Sequence, residues 1–227
     1  MLTRGEFILI FSIIFLFIFL NKKIKIGILA RIIVIVILVI SPYLIRNYIQ
    51  FNEVFIVKTL GYNLWKGNNK LSSVEGYENY NEVIKVKIDN LKKNNFYEIY
   101  KDNIFLVEAI NNIKKDSLAY TNLFFKKIIS YYFVNSDSNY PNYYNFFHIF
   151  PLLLISILSL PGFFIFCIKG KFENKCLFLY LVLNLIIFSI FFILPRYKLV
   201  ILPVQIIFAT YAIEYVLNKI KINILNK

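Results

Sequence analysis

Two cysteines, one histidine and one tryptophan among 227 residues exclude several chemistries at once. Cys167 and Cys176 have neither the spacing of a disulfide framework nor that of a metal site, and read as small apolar residues. His148 has no histidine, cysteine or carboxylate near it in sequence and reads as a boundary residue, not a catalyst. Acids are scarce as well, with 13 Asp and Glu against 26 Lys and Arg and a formal charge of +13. Such an excess fits a nucleic-acid binder by number alone. Its distribution argues against nucleic acid, because the basic residues gather at the ends of apolar runs, where charge orients a chain in a membrane.

What is abundant is apolar. Hydrophobic residues make up 59% of the chain and aromatics 19%. Several runs approach the roughly 20 residues needed to cross a bilayer. The first, Phe7 to Leu20, is followed by Asn21, Lys22, Lys23 and Lys25. Only Arg4 precedes it and no cleavage site follows, so it reads as a retained helix and not a secretory signal. Ile28 to Ile45 forms the second span, with Arg31 and Arg46 placed to snorkel toward opposite interfaces and Pro42 predicting a kink or an end. Three more follow: Ile149 to Ile168, Cys176 to Leu194 and Leu199 to Leu217.

The expected fold is an all-α integral membrane protein of about five transmembrane helices with an extracytoplasmic, mostly helical insertion. Residues 1–45 hold two spans, 46–148 the insertion, and 149–227 three spans and a cytoplasmic tail. Lys22, Lys23, Lys25, Arg31, Lys169, Lys171, Lys175, Lys219, Lys221 and Lys227 all fall on one side, against the single acid Glu173. The positive-inside bias then puts the amino terminus and the insertion outside and the carboxyl terminus in the cytoplasm. The expected location is the inner membrane of a bacterium.

Within the insertion, Ile84 to Lys115 carries apolar residues three or four apart, a helical period. Asp116 or Ser117 can cap a further amphipathic helix through Phe133, while Asn135 to Asn145 is turn-like and rich in tyrosine. Residues 61–69 read as a polar loop. There Trp65 stands beside Gly61, Gly67, Asn63, Lys66, Asn68 and Asn69. It suits an interfacial anchor or a sugar- or head-group-binding surface, and composition alone leaves both open.

Pro42-Tyr43-x-x-Arg46-Asn47-Tyr48, followed by Gly61-Tyr62-Asn63-Leu64-Trp65-x-Gly67-Asn68-Asn69, resembles the GT-C class of glycosyltransferases. It is most similar to bacterial relatives of protein mannosyltransferases and aminoarabinose transferases. Arg196-Tyr197-x-Leu199 with Pro203 resembles that group's Arg-Tyr-x-x-Pro region more loosely, and Tyr43 stands where the group has Trp.

The resemblance implies a GT-C-like carboxyl-terminal portion that transfers sugar from a polyprenyl-phosphate donor at the outer face of the membrane. It implies lipid-phosphate binding by Arg46, Arg196 and Lys198, and a sugar or acceptor site at Trp65, Asn68 and Asn69. Membrane lipid and a missing amino-terminal half are the further partners it implies. The group's catalytic acid lies in an earlier outer loop, so no residue here inherits a catalytic role, and the chain is expected to be inactive alone. No metal ligand is assigned, and a divalent metal in the full enzyme stays open. The alternative is a non-enzymatic assembly or scaffold protein derived from such an enzyme.

Overall fold

A computed structural model describes residues 6–21, 23–56, 58–135, 138, 145–169 and 172–225. Most of the tyrosine-rich turn expected at 135–145 lies outside the described residues, as do Lys22, Lys171 and Lys227. Among the described residues every regular element is helical. In order they are α1 (Glu6–Leu20), α2 (Ile26–Phe51), α3 (Leu60–Gly67), α4 (Glu82–Asp89), α5 (Tyr97–Lys115) and α6 (Ser117–Tyr132). After these come α7 (Phe146–Lys169), α8 (Phe172–Ile190), a 3-10 turn (Pro195–Tyr197) and α9 (Lys198–Leu225).

Among the described residues four helices are long and apolar enough to cross a membrane: Ile26–Phe51, Phe146–Ile168, Phe172–Ile190 and Pro195–Lys221. The fifth expected span corresponds to α1, an apolar helix described over Glu6–Leu20, immediately after residues that lie outside the described ones. α2 runs through Pro42 to Phe51, past the expected end of the span at Ile45. Proline leaves the carbonyl four residues before it without its usual N–H partner. The Ser41 hydroxyl donates to that carbonyl, Leu38 O, at 3.3 Å, a common repair of a proline step in a membrane helix. Asn52, in the left-handed conformation, ends the helix and donates its N–H to Tyr48 O.

The described chain forms two compact units. The first comprises Met1–Thr121 with Ile190–Phe192, the second Asn122–Ser189 with Ile193–Lys227. α3, α4 and α5 lie within the first unit, and most of α6, from Asn122, lies in the second.

In the first unit α5 packs against both α3 and α4. Trp65, Ile84, Ile88, Phe105 and Ala109 form the core, flanked by Tyr62, Leu64, Tyr97 and Ile104. The apolar period from Ile84 to Lys115 is broken at residues 90–96, so it makes two helices. There the Asn94 side chain accepts from Phe96 N at 3.0 Å, a local turn that competes with continued helix. Phe96 in turn meets Phe51 of α2 edge-on, ring centroids 6.3 Å apart.

In the second unit α7 packs on α9. The contact is close because Gly162 has no side chain: a Cβ there would sit 1.8 Å from Phe208 O. Phe163 and Phe166 of α7 and Tyr211 of α9 surround Phe208 or one another through ring contacts of 4.8 to 5.8 Å. α6 begins with a side-chain cap, Asp116 Oδ1 accepting from Ala119 N at 3.1 Å.

Lys127 of α6 is fully buried, and burial pushes its ammonium down to about 7 from an ordinary 10.5. Between those values the unfolded chain binds the proton that the folded one does not, so stability should rise with pH across that window. It should level off above 10.5 and reach its floor below about 7. Lys127→Met should flatten the dependence; chemical unfolding across the window in detergent is the measurement, and an unchanged slope would contradict it.

Candidate functional site

The stretch expected to be a polar loop at 61–69 is largely α3, and the reason lies 41 residues downstream. Asp102 of α5 is buried, and its carboxylate accepts N–H groups from Gly61 at 3.1 Å and Tyr62 at 2.8 Å. Those are first-turn donors with no partner inside their own helix. A carboxylate there satisfies them and complements the positive end of the helix. Gly61 is required for the approach, since a Cβ would lie 2.0 Å from Asp102 O. α3 is thus fastened to α5 at its start.

Past α3 the chain folds back over it. Asn69 is the fastener: its amide donates to Trp65 O at 3.3 Å and Tyr77 O at 3.0 Å, and its carbonyl oxygen accepts from Leu71 N at 2.9 Å. Tyr77 N donates to Lys66 O at 2.9 Å, and Ser72 Oγ to the same oxygen at 2.8 Å. Lys66 pairs with Glu78 and lies 4.5 Å from the centre of the Phe192 ring. Asn81 then caps α4, accepting from Ile84 N at 3.0 Å.

This fold-back leaves a cleft of about 560 Å³ between the 69–81 segment and α5. Tyr77, Asn79, Tyr80 and Asn81 line one side. The other is a stripe of α5, Glu108, Asn111, Asn112 and Lys115, at the i, i+3, i+4, i+7 positions of one helical face. Trp65 closes the floor. At 2% exposure its indole belongs to the core, packed against Phe105 at 4.9 Å, and does not reach out as an interfacial anchor. Tyr62, part-buried nearby, has its phenol pushed above the ordinary range, first by burial and then by Glu78 and Tyr80.

Of the residues singled out in the sequence, Trp65 and Asn69 line the cleft. Asn68 is buried elsewhere, its amide donating to Leu64 O at 2.9 Å and Ile190 O at 2.8 Å, so it ties α3 down. Arg46 is exposed, five residues inside the end of α2, and belongs to the first unit.

Arg196 and Lys198 belong to the second unit and part company there. Arg196 is exposed on the 3-10 turn, its guanidinium 5.9 Å from the centre of the Tyr197 ring. Lys198 is buried and donates to Tyr131 O at 3.3 Å, to Tyr132 O, and to Ser156 Oγ at 3.0 Å. Its three protons are spent closing the end of α6 and joining it to α7, an internal use that the family motif did not suggest.

Sequence reasoning passed over Tyr80, Asn79, Asn111 and Asn112. The signal was the polar stripe on α5 opposite its apolar face. Among the described residues no group of three or more His, Cys, Asp or Glu side chains comes together. Compared with known proteins, the chain matches no family model, and no curated protein or solved structure matches it.

Proposed function

We propose that this chain serves a membrane glycosyltransferase that moves a sugar from a polyprenyl phosphate to an acceptor at the outer face of the membrane. The cleft over Trp65 supports the reading most: Trp65 and Asn69 of the family-like 61–69 stretch line a cavity whose remaining walls come mainly from residues 70–81 and one face of α5. In the reaction an acceptor hydroxyl oxygen bonds to the anomeric carbon while that carbon's bond to the phosphate oxygen breaks. The hydroxyl proton goes to a base, and the lipid phosphate leaves with the electron pair. Cations aimed at the departing phosphate stabilise that charge as it develops.

Arg196 of the second unit and, separately, Arg46 of the first each suit phosphate binding by exposure and by a guanidinium's paired, fixed donors. Lys198 contributes by position: it holds the turn that carries Arg196 against α6 and α7. The test is the affinity of the chain, in nanodiscs, for polyprenyl phosphate. A charge-assisted contact contributes about 1.5–3 kcal/mol, so Arg196→Ala and Arg46→Ala should each weaken binding about tenfold or more. Arg196→Lys should restore only part of it, because an ammonium is a point charge without the bidentate fork. Unchanged affinity in both alanine variants would end the proposal.

A further inference from the structure

We infer that the cleft over Trp65 binds a neutral saccharide, held by the carboxamides of Asn79, Asn111 and Asn112 and laid against the ring of Tyr80. The inference rests on the transferase reading for its place in the reaction, as the acceptor side, while binding itself can be measured apart from that reading.

Some polar groups of the cleft are already committed. Asn69 spends both its donors and its acceptor inside the wall, and the carbonyl oxygen of Asn81 caps α4. These residues give the cleft its shape. Asn79, Asn111 and Asn112 line it without such a structural duty among the described hydrogen bonds, and the first two are exposed. A carboxamide both donates and accepts in a fixed plane. Hydroxyl groups also do both, so a polyhydroxylated ligand can use every edge of such a wall.

Tyr80 supplies the apolar side. It is 42% exposed, and its ring is fixed edge-on by Trp65 at 6.2 Å and Phe105 at 5.9 Å. A rigid ring opposite an amide rim suits a pyranose, which has a C–H face and a hydroxyl edge. The volume, about 560 Å³, lies within the roughly 300–1,000 Å³ of small-molecule sites.

Charge narrows the ligand further. Lys70 and Lys115 are the lining cations, and Glu108, 3.8 Å from Lys87, is the lining acid. That mixture is neither the arginine cluster of a phosphate site nor a ring of acids. An extended peptide is disfavoured because the walls are helices and a hydrogen-bonded turn. Strand-like peptides add to an open sheet edge, and no strand is present among the described residues.

Trp65 is the sole tryptophan and floors the cleft, so its fluorescence reports occupancy directly. The chain in phosphatidylcholine nanodiscs would be titrated with neutral trisaccharides of glucose, mannose, galactose and N-acetylglucosamine. A galacturonic acid trimer and tetra-alanine would be run alongside. At least one neutral trisaccharide should change the emission saturably, and the Asn111→Ala, Asn112→Ala double variant should weaken it about tenfold, as expected for two lost hydrogen bonds.

Both positions lie on a helix with exposed or half-exposed side chains, and alanine favours helix, so the variant keeps its fold. Unliganded Trp65 emission checks this. Polyprenyl-phosphate affinity should not move in the double variant. The inference is overturned if no neutral trisaccharide perturbs Trp65, if the galacturonic trimer or tetra-alanine binds better, or if the double variant binds as the wild type does. Saccharide binding with no effect of the arginine variants on phosphate affinity would remove the transferase reading and leave the cleft's ligand standing.

Discussion

Asp102→Ala should take the cleft apart and leave the membrane-spanning helices folded. The carboxylate is 5% exposed and accepts two first-turn N–H groups of α3. Without it the buried Gly61 N–H and the part-buried Tyr62 N–H lose their partner, at up to roughly 1–3 kcal/mol each. The favourable placement of a negative charge at the helix start goes as well. A net loss of about 3 kcal/mol is expected. α3, only eight residues long, would not form alone in water, so it relies on its tertiary contacts, and this one fastens its start.

Trp65 rides on α3, so its emission should shift to the red as the indole meets water. Saccharide-dependent changes should vanish with it. Asp102→Asn, which keeps one acceptor oxygen, should fall between the two. The bundle helices provide the internal control: circular dichroism should retain most of its helical signal. An unshifted Trp65 emission and an unchanged melting temperature in Asp102→Ala would show that the cap does not hold α3.

The same residue shows where sequence reading stops. The apolar runs were legible because length and hydropathy suffice to find a helix that meets lipid. Ile84, Ile88 and the apolar positions of α5 were legible by their period. α3 was not, because eight residues with a glycine near each end carry no helical signature of their own, and the cap sits on another helix. Of the kink or end that Pro42 predicts, the end does not occur there: Ser41 beside it takes up the orphaned Leu38 carbonyl and the helix continues to Phe51.

The candidate site divides along the same line. Trp65 and Asn69 drew notice through a motif, and both line the cleft, yet Asn69 acts on its own backbone and not toward the cavity. Asn111 and Asn112 carried no motif in a chain crowded with asparagine, so only their shared stripe with Glu108 and Lys115 sets them apart. Lys198 shows the limit from the other side. Composition cannot tell an exposed lysine from one whose three protons are bound inside the fold, and here the internal partners come from α6 and α7.

Gly162→Ala should destabilise the second unit far more than its size suggests. The added Cβ would lie 1.8 Å from Phe208 O and 2.6 Å from Phe208 C, and these are backbone atoms that cannot rotate away. α7 and α9 must therefore move apart. Between membrane helices there is little hydrophobic drive, so close packing of small residues supplies much of the association. Separation would loosen the Phe166–Phe208 and Phe166–Tyr211 contacts at 4.9 and 4.8 Å. It would also draw Ser156 of α7 away from Lys198 at the start of α9.

Overpacking of this kind costs about 3 kcal/mol when the backbone itself must shift. Gly27→Ala in α2 is the matched control. Nothing lies within 4 Å of its added Cβ, and alanine should favour the helix by up to about 1 kcal/mol. Unfolding of both variants in mixed detergent micelles should then give changes of opposite sign. Because Lys198 anchors the turn bearing Arg196, polyprenyl-phosphate binding should weaken in Gly162→Ala and hold in Gly27→Ala. Equal stability in the two variants would mean that the close crossing of α7 and α9 contributes nothing to the fold. Lost stability with unchanged phosphate affinity would mean that Arg196 does not depend on that crossing for its place.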